Sequence, residues 1–352
     1  MKPLMTSVKI GDSVKNRESY FDNAKFILII LVVFGHVIRS FIDDNEFMLN
    51  VYKFVYTFHM PAFILISGFF AKGYNKKGYV QKIFKKLIIP YLIFQGIYSV
   101  YYFLVESEST LTVDPLDPHW SLWFLMSLFF WNLFLFAYTK LDKKWAMLIA
   151  IGLGVAIGYV DSASNYLSVS RTFVFFPLFL AGFYLDKSHF KKLTTSKVRF
   201  ASIAILIVTF ITYFYLDFDY EWLFGSKPYS AFGEVGAENA WIRLGFYGLT
   251  FVLTFSFFSL IPKRNYFFTH WGTRTFYVYL LHGFIVRSFR NSEALEWLKD
   301  YQSVTLIIVI SVLLTFILST NFVKTVTQPI IELKATNLKK HFKNREEKVQ
   351  YR

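Results

Sequence analysis

Residues 20–36 read YFDNAKFILIILVVFGH, and this stretch decides the fold. Lys25 is followed by nine apolar residues and Gly35, and then by His36. The apolar run is continuous and does not alternate, so it reads as a helix buried in hydrocarbon and not as a strand of a barrel. Lys25 and His36 are eleven residues apart. At about 100° per residue that is three turns plus roughly 20°, which puts both on one face. The rise between them is about 16 Å. With Lys25 at the cytoplasmic edge, His36 lies near the bilayer centre.

Outward from this segment the same pattern repeats. Ten apolar stretches are expected to span, near 26–43, 52–71, 87–105, 120–138, 145–160, 172–185, 200–216, 241–261, 275–290 and 303–323. A helix needs about 20 residues to cross roughly 30 Å of hydrocarbon; the stretches at 145–160, 172–185 and 275–290 are short for that crossing. The composition agrees. Aromatic residues make up 21 % of the chain and charged residues 18 %, with a mean hydropathy of +0.39. A water-soluble core of this size could not hide that load, and a soluble domain usually carries roughly 25 % charge. There is no cysteine, which excludes disulfides, thiol nucleophiles and thiolate metal sites.

The net charge of +14 would point to nucleic acid in a soluble protein. Here its placement matters more. With residues 1–25 inside the cell, thirty Lys and Arg fall in inner segments and eight in outer ones, a strong positive-inside bias. Residues 106–118 carry four acidic side chains and no basic one. The expected fold is therefore an all-α integral membrane bundle of about ten helices with both termini cytoplasmic. Residues 1–24 form a polar inner segment with no cleavable-leader pattern. Residues 25–324 form the polytopic domain, and residues 325–352 a basic tail for the anionic leaflet.

Ionisable side chains inside spans cost about 3 kcal/mol or more each, so they mark function or a specific partner. His36 is a candidate proton carrier, with a helix–helix hydrogen bond as the plain alternative; Gly35 beside it permits close approach. His59 lies about 10 Å deep from the outer side by helical rise, next to Pro61, which frees a carbonyl. Ser67-Gly68 fits close packing of two helices better than chemistry. His119, Trp120 and Trp123 open the fourth span, and Trp120 reads as an interfacial anchor. Arg171 either snorkels outward or turns inward to an anion. His282-Gly283 reads as a cavity wall or a structural hydrogen bond. His189, His270 and His341 fall in inner segments and are given no role. Neither a phosphate-binding glycine loop with Lys, nor GxSxG, nor HExxH is present. No metal site and no nucleic-acid partner are expected.

Tyr20…Asp22…Lys25…Gly35-His36 resembles the opening motif of the membrane-bound acyltransferase family 3, a basic residue, ten residues and a His. Phe58-His59-Met60-Pro61…Ser67-Gly68-Phe69 resembles its second-span motif, and Lys85-Lys86…Pro90-Tyr91 the entry to its third. Trp120-Ser-Leu-Trp123, Arg171…Phe176-Pro177…Gly182 and Tyr277…Leu281-His282 are similar to three later motifs. The likeness covers about residues 17–325 and is nearest the fucose 4-O-acetylase-like branch. It departs in having Lys25 where many members have Arg, which keeps the charge but loses bidentate phosphate recognition. No extracytoplasmic hydrolase-like domain is legible, so transfer is expected to finish in the membrane domain or on a separate protein.

The resemblance implies a multi-pass cell-membrane O-acyltransferase. It would move an acetyl group from cytoplasmic acetyl-CoA to a hydroxyl of a cell-surface glycan or its lipid-linked precursor. His36 and Lys25 would be catalytic, as general base and as partner of donor phosphate or developing charge. His59, Arg171, His282, Trp123 and Ser67 would bind substrate. The competing reading is a transporter or exporter of a glycan or small metabolite. A structural scaffold is disfavoured by the cost of the buried polar groups.

Overall fold

The structure, a computed structural model, describes residues 19–105, 110–163, 166–301 and 303–334. No strand occurs among them. The first helix, α1 (Ser19–Ile38), is followed by α2 (Glu46–Phe69), whose start is fixed by Asn45 accepting a 3.0 Å bond from the Met48 amide. Then come α3 (Tyr79–Ile83), α4 (Ile89–Val105), α5 (Trp123–Tyr138), α6 (Lys143–Ala156) and α7 (Val169–Tyr184). The chain continues with α8 (Lys187–Leu193), α9 (Ser196–Thr212), α10 (Ala237–Leu260) and α11 (Thr275–Arg290). It ends with α12 (Glu293–Tyr301), α13 (Val304–Leu318) and α14 (Asn321–Ile331).

By length and composition, six helical stretches are able to cross a membrane. Two further pairs qualify if each bent pair is one span: α8 with α9, bent by 71°, and α13 with α14, bent by 65°. This is a multi-pass membrane protein. The two other expected spans coincide with α6 and α11, which have 14 and 16 residues and fall short of the length a straight crossing needs. Large apolar side chains on the outer surface, among them Trp145, Phe200, Val208 and Trp241, face where lipid would be.

Close packing at the centre depends on missing side chains. α2 and α7 cross where Gly68 and Gly182 face each other. A Cβ on Gly68 would run into the Phe179 carbonyl, and one on Gly182 into that of Leu65. Small residues let helix backbones approach where lipid removes the hydrophobic drive for association, which is the role expected of Ser67-Gly68.

The amino-terminal end of α1 is tied down by polar bonds. Asn23 donates to the carbonyls of Pro262 and Arg264 at 2.9 Å each and accepts from the Thr269 hydroxyl at 2.6 Å. Tyr20 donates to the Phe258 carbonyl at 2.6 Å. These bonds fix the rotation of α1, and so the direction in which its polar face looks.

Before α4 the helix winds wide. Ile89 donates to the carbonyl of Phe84, five residues back, and residues Phe84–Ile88 form a π turn. Pro90 follows and has no amide hydrogen to offer. Such turns are frequent at functional sites, and Lys86 on this one reaches a cavity wall.

Candidate functional site

One face of α1 lines two neighbouring cavities. Lys25, Ile29 and Val32 line the first, of about 330 Å³, and Val32, His36 and Arg39 line the second, of about 260 Å³. Positions 25, 29, 32, 36 and 39 follow the i, i+4, i+7 spacing of one helical stripe. Val32, Met60 and Tyr279 belong to both walls, so the two chambers abut there.

The Lys25 chamber lies toward the amino-terminal end of α1. Its walls are mostly apolar, from Phe63, Ile66, Phe124 and Phe276, with Lys25, Lys86, Ser67, Tyr79 and Asn132 as polar groups. Lys25 Nζ lies 2.7 Å from Asp22 and 5.8 Å from the centre of the Phe70 ring. Ser67 donates its hydroxyl to the Phe63 carbonyl at 2.9 Å, so it is satisfied within its own helix.

The His36 chamber is different in kind. Its wall carries His36, His59, Arg39, Arg171, Arg290, Tyr52 and Tyr56, with Trp120, Trp123 and Phe224 among the aromatic surfaces. The His36 ring stands 4.4 Å from Trp120 and 5.3 Å from His282, centre to centre. Trp120 lies 5.2 Å from His282 as well, so the indole packs against both imidazoles. Arg290 donates to the His36 backbone carbonyl at 2.7 Å, which ties the end of α11 to α1.

Local sequence explains these placements. Gly283 leaves room for Trp120; a Cβ there would collide with the indole and with the Tyr98 hydroxyl. Trp120 itself sits at φ 41°, a left-handed conformation that costs about 1–3 kcal/mol for a non-glycine residue. Gly35 lets the Tyr56 ring lie against α1, since a Cβ would come within 2.8 Å of it. Leu167 and Ser168, at φ 50° and 54°, turn the chain into α7 just ahead of Arg171. The Arg171 guanidinium then sits 5.1 Å from the centre of the Trp123 ring, a cation–π distance.

The tautomers of two histidines follow from their neighbours. His59 Nδ1 is 2.8 Å from the Val55 carbonyl and His282 Nδ1 is 2.9 Å from that of Val278. A carbonyl only accepts, so both rings carry hydrogen on Nδ1. His282 is fully buried, and its Nε2 has no hydrogen-bond partner among the described residues. Also among the described residues, no three His, Cys, Asp or Glu side chains converge as metal ligands would.

Of the residues singled out in the sequence, His36, His59, Arg171 and Trp123 come together in one chamber. Lys25 and Ser67 line the other. His282 packs behind His36 and Trp120 and lines neither cavity. Trp120, expected as an interfacial anchor, is instead held inside, because Gly283 and the two imidazoles shape a slot for it. Sequence reasoning missed Arg39, Tyr52, Tyr56 and Arg290 as chamber residues. Arg39 lies three residues beyond His36 on the same stripe, so helical spacing could have found it. Arg290 comes from α11, and nothing local announces it.

The fold and this site define a class: a multi-pass helical membrane protein with a histidine on the wall of one of two abutting cavities. The chain belongs to the acyltransferase-3 family, whose model, described as an acyltransferase domain, matches residues 18–323. It is similar to "Nodulation protein NolL" of Sinorhizobium fredii (strain NBRC 101917 / NGR234), 48 % identical over 61 residues, which cover 16 % of this chain and 17 % of that protein. It is also similar to "Nodulation protein NolL" of Mesorhizobium japonicum (strain LMG 29417 / CECT 9101 / MAFF 303099), 32 % identical over 123 residues, 31 % of this chain and 33 % of that protein. The matches span a third or less of these relatives' own length. No solved structure matches the chain.

Proposed function

We propose that the protein is a membrane O-acyltransferase that moves an acetyl group from acetyl-CoA to a hydroxyl of a cell-surface glycan or its lipid-linked precursor. One observation carries this reading. A single face of α1 runs from Lys25 in one chamber to His36 in the next, and the two chambers abut at Val32, Met60 and Tyr279. That is the layout a donor and an acceptor need if they enter from opposite ends and meet.

The donor occupies the Lys25 chamber. Its phosphates stay near Lys25 and Lys86 at the cytoplasmic mouth, where positive charge gathers anions. Its apolar walls accept the pantetheine arm, and the thioester arrives about 16 Å further along α1, beside His36. The acceptor occupies the His36 chamber, against Trp123, His59 and Arg171. The Lys and Arg distribution supports this sidedness, with the Lys25 end inside the cell.

His36 acts as general base. It takes the proton of the acceptor hydroxyl as that oxygen bonds to the thioester carbonyl carbon. The carbon–sulfur bond then breaks, and the imidazolium returns its proton to the departing CoA thiolate. Atoms and charge balance without a metal or redox partner. His282, behind His36, supports its orientation. Membership of the acyltransferase-3 family supports the reaction class.

The test is acetyl transfer by purified protein, read by mass spectrometry of the acceptor glycan with and without acetyl-CoA. Wild type should yield an acetylated glycan and His36→Ala should not. If both acetylate equally, His36 is not the base. If acceptor moves across proteoliposome membranes with no acetyl group on it, the protein is a carrier.

A further inference from the structure

The charges in the wall of the His36 chamber do not balance. Three guanidinium groups, those of Arg39, Arg171 and Arg290, reach it, and among the described residues its wall holds no Asp or Glu. Arg39 is accounted for at the rim, 3.2 Å from Asp43 and 3.0 Å from the Tyr220 hydroxyl. Arg171 stacks on Trp123 and feels the Asp117 carboxylate beyond the wall. Arg290 spends one nitrogen on the His36 carbonyl, and its buried Nε has no hydrogen-bond partner among the described residues. The charged groups that act on it are cationic, Arg287 and Arg39.

Elsewhere in the molecule one buried cation, Lys53, is met by a carboxylate, while Arg243 is held by the carbonyl and ring of Trp222. Lys53, buried in α2, lies 3.9 Å from Asp217 and 4.6 Å from the Phe218 ring centre. Arg290 instead reaches, together with Arg171, a cavity whose wall supplies no carboxylate. That setting suits an anion that arrives as ligand. Arginine favours one kind of visitor. Its planar fork matches the two oxygens of a carboxylate or phosphate, and such charge-assisted bonds are the strong ones where water is scarce.

We propose that the acceptor is anionic: it carries a carboxylate or phosphate oxyanion close to the hydroxyl that receives the acyl group. Arg171 and Arg290 hold that oxyanion and so orient the hydroxyl toward His36. Trp123 offers a flat apolar surface for the sugar ring beside it. This rests on the reading of the His36 chamber as the acceptor site, and it deepens that reading by naming the substrate class. Arginine forks in this chamber, against the lysines of the other, assign rigid geometric recognition to the acceptor and looser charge attraction to the donor.

Binding and transfer are measured separately. Binding uses the tryptophan fluorescence of purified full-length protein, since Trp120 and Trp123 line the chamber. The probes are a methyl glucoside, the matching methyl glucuronide and the matching glucose 6-phosphate. The charged probes should bind at least about tenfold more tightly than the neutral one, as expected where a site's polar groups would otherwise stay unpaired. The carboxylate and phosphate arms show which oxyanion is preferred. Arg171→Gln and Arg290→Gln should collapse the charged-to-neutral ratio toward one, and Arg290→Lys should restore part of it. Equal binding of charged and neutral probes by wild type overturns the proposal, whether or not transfer occurs. So does an Arg290→Gln effect confined to the KM for acetyl-CoA, since the arginine would then serve the donor. Anion-selective binding that depends on both arginines, with no acetyl transfer to any acceptor, would uphold the anion site and sink the transferase reading.

Discussion

The two chambers share one helix face and a common wall, yet their chemistry differs. The Lys25 chamber is a mostly apolar slot with lysines and a few hydroxyl and amide groups. The His36 chamber holds three arginines, two histidines and three tyrosines among aromatic rings. Lysine is a compact, mobile point charge, and arginine is a fixed fork. The contrast teaches that a single turn of helix, from Val32 to His36, separates a region suited to a long, flexible, mostly apolar ligand from one suited to a ligand read group by group. The cost of holding so many polar groups in a membrane slab falls on the second region.

The largest expected effect breaks the contrast at its boundary. His36→Ala should lower the rate of acetyl transfer by about 10²–10⁴, the usual range for removing a general base, and should leave the KM for acetyl-CoA nearly unchanged. Steady-state kinetics on purified protein checks this. A raised donor KM with an unchanged rate would place His36 in donor binding instead.

Lys25→Ala comes next. It should raise the KM for acetyl-CoA by about 10–100-fold, the equivalent of one lost charge-assisted bond, with the acceptor KM unmoved. Lys25→Arg should recover most of the loss. An effect on the acceptor KM alone would mean that the chambers have been assigned the wrong way round.

A structural change sharpens the boundary without touching either ligand. Gly283→Ala pushes a methyl group into the slot that holds Trp120, and overpacking of this kind costs about 1–3 kcal/mol. Thermal unfolding in detergent should show the loss. The acceptor KM should rise more than the donor KM, because Trp120 lines only the His36 chamber. Equal shifts in both would show a general loss of folding. The smallest effect is expected from Ser67→Ala. Its hydroxyl is spent on the Phe63 carbonyl of its own helix, so kinetics should change less than about twofold. A larger change would show that Ser67 meets the donor.

Much of this was legible along the chain. The spacing of Lys25 and His36 put both on one face directly, and the structure extends that face through Ile29, Val32 and Arg39. Ser67-Gly68, small residues in an apolar run, foreshadowed the close crossing of α2 with α7, where Gly182 supplies the other half. What stayed hidden depends on partners far away in sequence. The place of Trp120 is set by Gly283, far along the chain on α11, so its local context reads as an anchor. Arg290 reaches the chamber only because α11 docks beside α1, a fact no periodicity encodes. The bends of 71° and 65° at the two helix pairs likewise arise at short breaks that hydropathy averages over, and they blur the count of crossings.

In the proposed reaction, donor and acceptor reach His36 from opposite faces of the membrane. This sidedness is tested most directly in sealed proteoliposomes holding acetyl-CoA inside and the acceptor glycan outside. For the protein molecules whose amino-terminal end faces the lumen, acetylated glycan should accumulate outside, and His36→Ala vesicles should make none. Product that forms only when acetyl-CoA and glycan are placed on the same side would contradict it.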